Sequence, residues 1–145
     1  MKFGIIISGH GNFATGISSS LNLIMGLPEN LAIIDFPDGD NILHLENQFD
    51  NAINKFANMD IIVLVDLFSG SPFNISMKKA MNNHRIHLYY GANLGMILEL
   101  ISRSNFVNTI DELTDGIVEV GKNQIGEFKS TNLSLRTDDE EDDNL

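Results

Sequence analysis

Five consecutive aliphatic residues, Ile61-Ile62-Val63-Leu64-Val65, stand between two aspartates, Asp60 and Asp66. A strand with one wet face alternates apolar and polar side chains, and this one does not. It therefore predicts a central strand of a parallel sheet, covered by helices on both faces. Phe3-Gly4-Ile5-Ile6-Ile7 predicts a second buried strand, stopped by Ser8-Gly9-His10-Gly11, and Leu31 to Phe36 and Arg85 to Tyr90 supply two more. Between the strands the apolar spacing becomes helical. Phe13, Ile17, Leu21 and Ile24 predict a helix from Asn12 to Met25, ended by Gly26-Leu27-Pro28. Ile42, Leu45, Phe49, Ala52, Ile53 and Phe56 trace the buried face of a second, leaving His44 on the solvent side. Phe73, Met77, Ala80 and Met81 predict the buried face of a third, with Ser71 as its cap and Pro72 in its first turn. Asn93 is placed to cap a helix through Ile101. The capping box Thr109-Ile110-Asp111-Glu112 opens one more, with Ile110, Leu113, Ile117 and Val120 on its apolar face. Ile125 to Ser130 reads as an extended edge segment. Strands alternating with helices define the α/β class and a three-layer domain with helices on both faces of an open, mainly parallel sheet.

A length of 145 residues fits one domain, expected over residues 1–130. The net charge of −11 is uneven: six acids fall in the single run Asp138 to Asp143, and the rest of the chain carries 14 acids against 9 bases. Residues 131–145 are expected to form a disordered acidic tail. The body offers no basic stripe for phosphate backbones, so no nucleic-acid partner is expected. With no cysteine there is neither a disulfide framework nor a thiolate metal site. No apolar run reaches the ~18 residues of a membrane span, and the first residues lack the layout of a signal peptide, so a cytoplasmic protein is expected.

Two loops carry the chemistry. The right-handed crossover rule sets the first and third strands side by side, so His10 and Asp66 end adjacent strands, at the edge where open α/β sheets bind ligands. A carboxylate beside an imidazole fixes its tautomer, leaving the far ring nitrogen unprotonated and nucleophilic. Such an imidazole can take a phosphoryl group. The phosphoryl oxygens would face the N-terminus of the third helix, where the Ser71 hydroxyl and unpaired backbone N–H groups form an anion site. His84 and His87 read as structural.

His10 after the first strand, together with Val65-Asp66-Leu67-Phe68-Ser69-Gly70-Ser71-Pro72-Phe73-Asn74, closely resembles the IIA component of mannose-class sugar phosphotransferase systems, over roughly residues 1–122. The resemblance implies a phosphocarrier in which His10 accepts phosphate from the histidine-containing phosphocarrier protein and passes it to a IIB component. It implies a covalent phosphohistidine, Asp66 as the hydrogen-bonding partner of His10, and Ser71 as the hydroxyl near the phosphate. No nucleotide, metal or other cofactor takes part in that step. It further implies an antiparallel edge strand, a homodimer, and a place peripheral to membrane sugar-permease components. Ser69 stands where glycine is common in the family, Gly95 where proline is common, and the acidic tail where some members continue into a fused IIB domain.

Three rival readings use the same residues. Gly9-His10-Gly11-Asn12-Phe13-Ala14 fits the G-x-G-x-x-A dinucleotide pattern with Asp35 ending the second strand, but it leaves the loop from Asp66 to Asn74 unexplained. Gly4 and Gly9 have the spacing of a phosphate-binding loop, in which His10 and Gly11 replace the lysine and hydroxyl residue, which excludes it. A IIA-like regulatory module or a dihydroxyacetone-kinase phosphocarrier would share the histidine loop. The Gly70-Ser71-Pro72-Phe73-Asn74 string favours sugar transport.

Overall fold

The computed structural model describes residues 2–131; the acidic run lies outside the described residues, as does most of the expected tail. The chain runs β1 (Phe3–His10), α1 (Phe13–Met25), β2 (Leu31–Phe36), α2 (Ile42–Lys55), β3 (Asp60–Val65), α3 (Ser71–Asn82), β4 (Ile86–Tyr89), α4 (Leu94–Ser104), α5 (Ile110–Thr114) and α6 (Ile117–Lys122). The sheet order is β2-β1-β3-β4 and each ladder is parallel, with Ile5 opposite Leu31 and Ile62, and Val63 opposite Leu88. The unbroken aliphatic run forms β3, an inner strand, as its lack of alternation requires.

Period-two alternation sorts β1 and β3 onto two cores. Phe3, Ile5, Ile7, Ile62 and Leu64 face α1, α4, α5 and α6, where Leu21, Ile97, Leu100 and Leu113 close the layer. Ile6, Ile61, Val63 and Val65 face α2 and α3, against Leu45, Phe49, Phe56 and Ile75. Each fully buried aliphatic side chain contributes about 1.5–3 kcal/mol. The fit is close at Gly4, where a Cβ would lie 2.4 Å from the ring of Phe56, the residue that ends α2. Lys79 ties α3 to α2 through Asp50 at 2.6 Å and Glu46 at 3.3 Å.

Several expectations change. Among the described residues no antiparallel strand joins the sheet. The only antiparallel pairing among the described residues is an isolated bridge between Gly11 and Phe36, and the segment after Lys122 begins in a turn in which Ile125 N–H bonds the Lys122 carbonyl. Gly126 interrupts the apolar alternation there, and the side chains of Ile125 and Phe128 face solvent. The helix expected from Ile110 to Val120 is two, because Gly116 takes a left-handed conformation (φ 64°) between α5 and α6. The Arg103 guanidinium bonds the carbonyls of Leu113 and Asp115 at that break. On α3 the buried residues are Pro72, Ile75 and Ser76, not Met77 and Met81. Ser76 turns inward at low cost because its hydroxyl donates to the Pro72 carbonyl at 2.6 Å. Phe73 and Ala80 pack at the margin of that core. No helix among the described residues is long and apolar enough to cross a membrane.

Candidate functional site

Strand order reverses direction between β1 and β3: the chain leaves β1 for β2 on one side, then crosses to β3 on the other. Loops diverge at that point and leave a crevice at the carboxyl ends of the strands. His10 is the last residue of β1, and Asp66 follows the last residue of β3.

The two side chains meet. Asp66 Oδ2 lies 2.9 Å from His10 Nδ1 and accepts the backbone N–H of His10 at 2.9 Å, while Oδ1 accepts the Leu67 N–H at 2.9 Å. A carboxylate held by two backbone donors cannot swing away, and it can only accept from the ring. Nδ1 therefore carries the proton and Nε2 the lone pair. Gly9 permits the approach, since a Cβ there would lie 2.9 Å from Asp66 Cγ and 2.5 Å from the Phe13 ring. The imidazole is 43% exposed and the carboxylate 15%. Phe36 of β2 stands edge-on to the imidazole, its centroid 6.4 Å away.

Beyond Nε2 lies Gly70, with φ 93°, the residue before α3. A Cβ on Gly70 would sit 2.5 Å from Nε2, so a side chain here would occupy the space in front of the nucleophilic nitrogen. Gly70 was not singled out from sequence, although a glycine just before Ser-Pro at a helix start was the available signal. Ser71 does not cap α3 as expected. It is the helix's first residue, Gly70 holds the cap position, and no side-chain bond closes that end; instead Asn74 N–H reaches the Gly70 carbonyl at 2.9 Å. The turn at Gly70, open to glycine at this positive φ, displaces the cap by one residue and brings the free N–H end of α3 toward the imidazole.

Asp35, which a dinucleotide site would use for a ribose, is already engaged: it accepts the Thr15 N–H at 2.9 Å and the Thr15 hydroxyl. His44 is exposed as expected, yet its Nδ1 lies 2.7 Å from Asp40. The Asn41 N–H, and to a lesser degree His44, hold the Asp40 carboxyl below the usual carboxylate range. His87 meets Asp60 at 3.3 Å, a structural pairing as expected. Phe68 is 66% exposed, and its ring lies 5.2 Å from Phe73 and 4.8 Å from Tyr90.

Comparison with known proteins agrees with this geometry. The family described as "PTS system fructose IIA component" matches residues 4–118. The fructose-specific EIIA component of Bacillus subtilis is 26% identical over 142 residues, covering 93% of this chain and 97% of that protein. The sorbose-specific EIIA component of Lacticaseibacillus casei is 28% identical over 141 residues, covering 96% and 98%. The crystal structure of the phosphotransferase system component EIIA from Streptococcus agalactiae superposes with a TM-score of 0.80 at 32% identity, over 87% of this chain and 97% of that one. With the match spanning most of the chain and the sheet ordered to bring His10 and Asp66 together, the chain belongs to the mannose-class IIA family of sugar phosphotransferase systems.

Proposed function

We propose that the chain is a phosphocarrier of a phosphoenolpyruvate-dependent sugar phosphotransferase system, with His10 Nε2 as the atom that carries the phosphoryl group. The observation that carries this reading is the Asp66 carboxylate on His10 Nδ1, which leaves Nε2 as the lone-pair nitrogen. The donor is the histidine-containing phosphocarrier protein and the acceptor a IIB component. Nε2 attacks the phosphorus, the Nε2–P bond forms as the donor's N–P bond breaks, and the bonding pair returns to the donor ring. The His10 ring keeps its Nδ1 proton, so it gains positive charge as the new bond forms, and Asp66 balances that charge. The oxygens are received by the N-terminus of α3, with the Ser71 hydroxyl as an added donor. Phosphoryl transfer depends mainly on positioning and charge stabilisation, which these parts supply.

We infer further that the protein works in the cytoplasm as a homodimer beside membrane permease components. An apolar groove of about 500 Å³ along the open edge of β4, lined by Leu88, Tyr90, Met96, Val118 and Ile125, supports the dimer. Incubation with phosphoenolpyruvate, the first enzyme of the pathway and the histidine phosphocarrier, followed by intact mass, tests the reading. Wild type should gain one acid-labile, base-stable phosphate and His10→Ala none. An undiminished phosphate on the variant would overturn the assignment.

A further inference from the structure

Each of the four parallel strands is followed by a helix, so α1, α2, α3 and α4 all start at the carboxyl end of the sheet. The unpaired N–H groups of such a start attract anions unless a side chain already accepts from them. Three of these four starts are closed in this way. Asn41 accepts the His44 N–H at 2.8 Å at the start of α2, and Asn93 the Met96 N–H at 3.1 Å at the start of α4. At α1 the residue in the cap position, Asn12, makes no side-chain bond to the helix, and Asp35 of β2 takes its place by accepting the Thr15 N–H at 2.9 Å. Of the four, α3 alone has no side-chain cap, and its start is the one that Gly70 sets against His10 Nε2.

The closure at α1 bears on the chemistry because this helix begins at Phe13, just past His10, and because β1 and β2 run in register with Gly9 opposite Asp35 and His10 opposite Phe36. Asp35 does more than fill a cap position. Its second oxygen accepts the Thr15 hydroxyl, and Gly11 and Phe36 exchange both backbone bonds, at 2.7 and 3.1 Å. The segment from Gly11 to Thr15 is thereby fastened to the end of β2, as Asp66 fastens His10 to the end of β3. A phosphoryl group brings roughly two negative charges to the imidazole. A carboxylate on the start of α1 repels its oxygens and holds an N–H they would otherwise bond, whereas α3 carries no acid in its first turn.

We propose that Asp35 is a positioning residue for the phosphoryl step: by capping α1 from the neighbouring strand it closes that helix start to the phosphoryl oxygens and pins the segment behind His10, so that the oxygens turn to the open start of α3. Asp35 acts through Thr15 and the backbone of α1, not on the reacting atoms. Two helix starts compete for the phosphoryl oxygens, and the carboxylate removes one of them. This inference rests on His10 being the phosphoacceptor.

The test is amide proton–nitrogen NMR before and after phosphorylation by phosphoramidate, a small donor that involves no partner protein, beside the rate of that reaction. In wild type the Ser71 and Phe73 amide protons should move downfield as they meet the phosphoryl oxygens, while those of Ala14 and Thr15 stay in place. Asp35→Ala should let the Ala14 and Thr15 amides move on phosphorylation as well. It should lower kcat about tenfold with KM for phosphoramidate little changed, since the oxygens then divide between two helix starts. Asp35→Asn keeps the shape of the side chain and loses its charge, so it answers even where Asp35→Ala does not fold: its Ala14 and Thr15 amides should move part of the way. A cap that is merely structural would change stability and leave the phosphorylation shifts and kcat as in wild type. Stationary Ser71 and Phe73 amides in wild type, or downfield movement there at Ala14 or Thr15, would overturn the closure of α1. Wild-type shifts in a folded Asp35 variant, or wild-type kcat in Asp35→Ala, would overturn the positioning role. If wild type takes no phosphate from phosphoramidate, the failure lies with His10 as acceptor, and the role of Asp35 falls with it.

Discussion

A histidine on a surface becomes a nucleophile when something decides which ring nitrogen holds the proton. Here that decision belongs to Asp66, fixed by the N–H groups of His10 and Leu67 and set 2.9 Å from Nδ1. Asp66→Asn keeps the shape and the bond from the Leu67 N–H, but with its amide N–H turned toward Nδ1 it gives up the bond from the His10 N–H, moves the ring proton to Nε2 and removes the balancing charge. In serine-protease triads the same change costs about 10⁴ in rate; with the α3 N-terminus intact the expected loss here is about 10²–10⁴, measured by rapid quench from the phosphorylated carrier. A rate within about threefold of wild type would show that the two residues do not act together. The pair was legible in the sequence because each residue ends a strongly apolar strand and the crossover rule places those strands side by side. Gly70 was not, because its importance lies in a contact with an atom sixty positions away in the chain, and spacing does not report such contacts.

Among the elements, the strands were easiest to read, since a buried parallel strand leaves little choice but a continuous apolar run. The helices were harder wherever a side chain had two claims on it. Phe73 was expected in the core of α3 but lies at its margin, joined to Phe68 and Tyr90, while Ser76 faces inward with its hydroxyl satisfied within the helix. The break between α5 and α6 was hidden because Ile110, Leu113, Ile117 and Val120 keep helical spacing across it. The attachment of α3 to α2 is electrostatic as well as apolar. The hydrogen bond to Asp50, with further help from Glu46, holds the Lys79 ammonium above a lysine's ordinary pKa despite the opposing effect of burial. A raised folded-state value means the contribution is fully present below the ordinary lysine range and fades as pH rises through the folded value. Lys79→Met should therefore lower stability by about 0.5–1 kcal/mol at neutral pH. In denaturant titrations the difference from wild type should shrink at strongly alkaline pH. A difference that stays constant there would assign the effect to packing.

At the scale of the molecule, three layers and a single reversal of strand order put the two chemical loops on one edge and leave β4 open on another. The class followed from apolar patterning and the pairing of β1 with β3 from the crossover rule, while the places of β2 and β4 were not read from the sequence. The antiparallel edge strand did not appear among the described residues, because a strand needs a partner edge and nothing in 125–129 pairs with β4. The open edge and its apolar groove predict self-association, since an unpaired edge recruits another chain. Light scattering at micromolar concentration should give twice the chain mass, and a monomer alone would refute the dimer. The proposed function turns on one atom, His10 Nε2. Phosphorus–nitrogen correlation NMR on the phosphorylated, 15N-labelled protein tests that most directly. The account predicts phosphorus coupled to Nε2 of His10, with Nδ1 still protonated against Asp66; coupling to Nδ1, or a phosphate on any other residue, would contradict it.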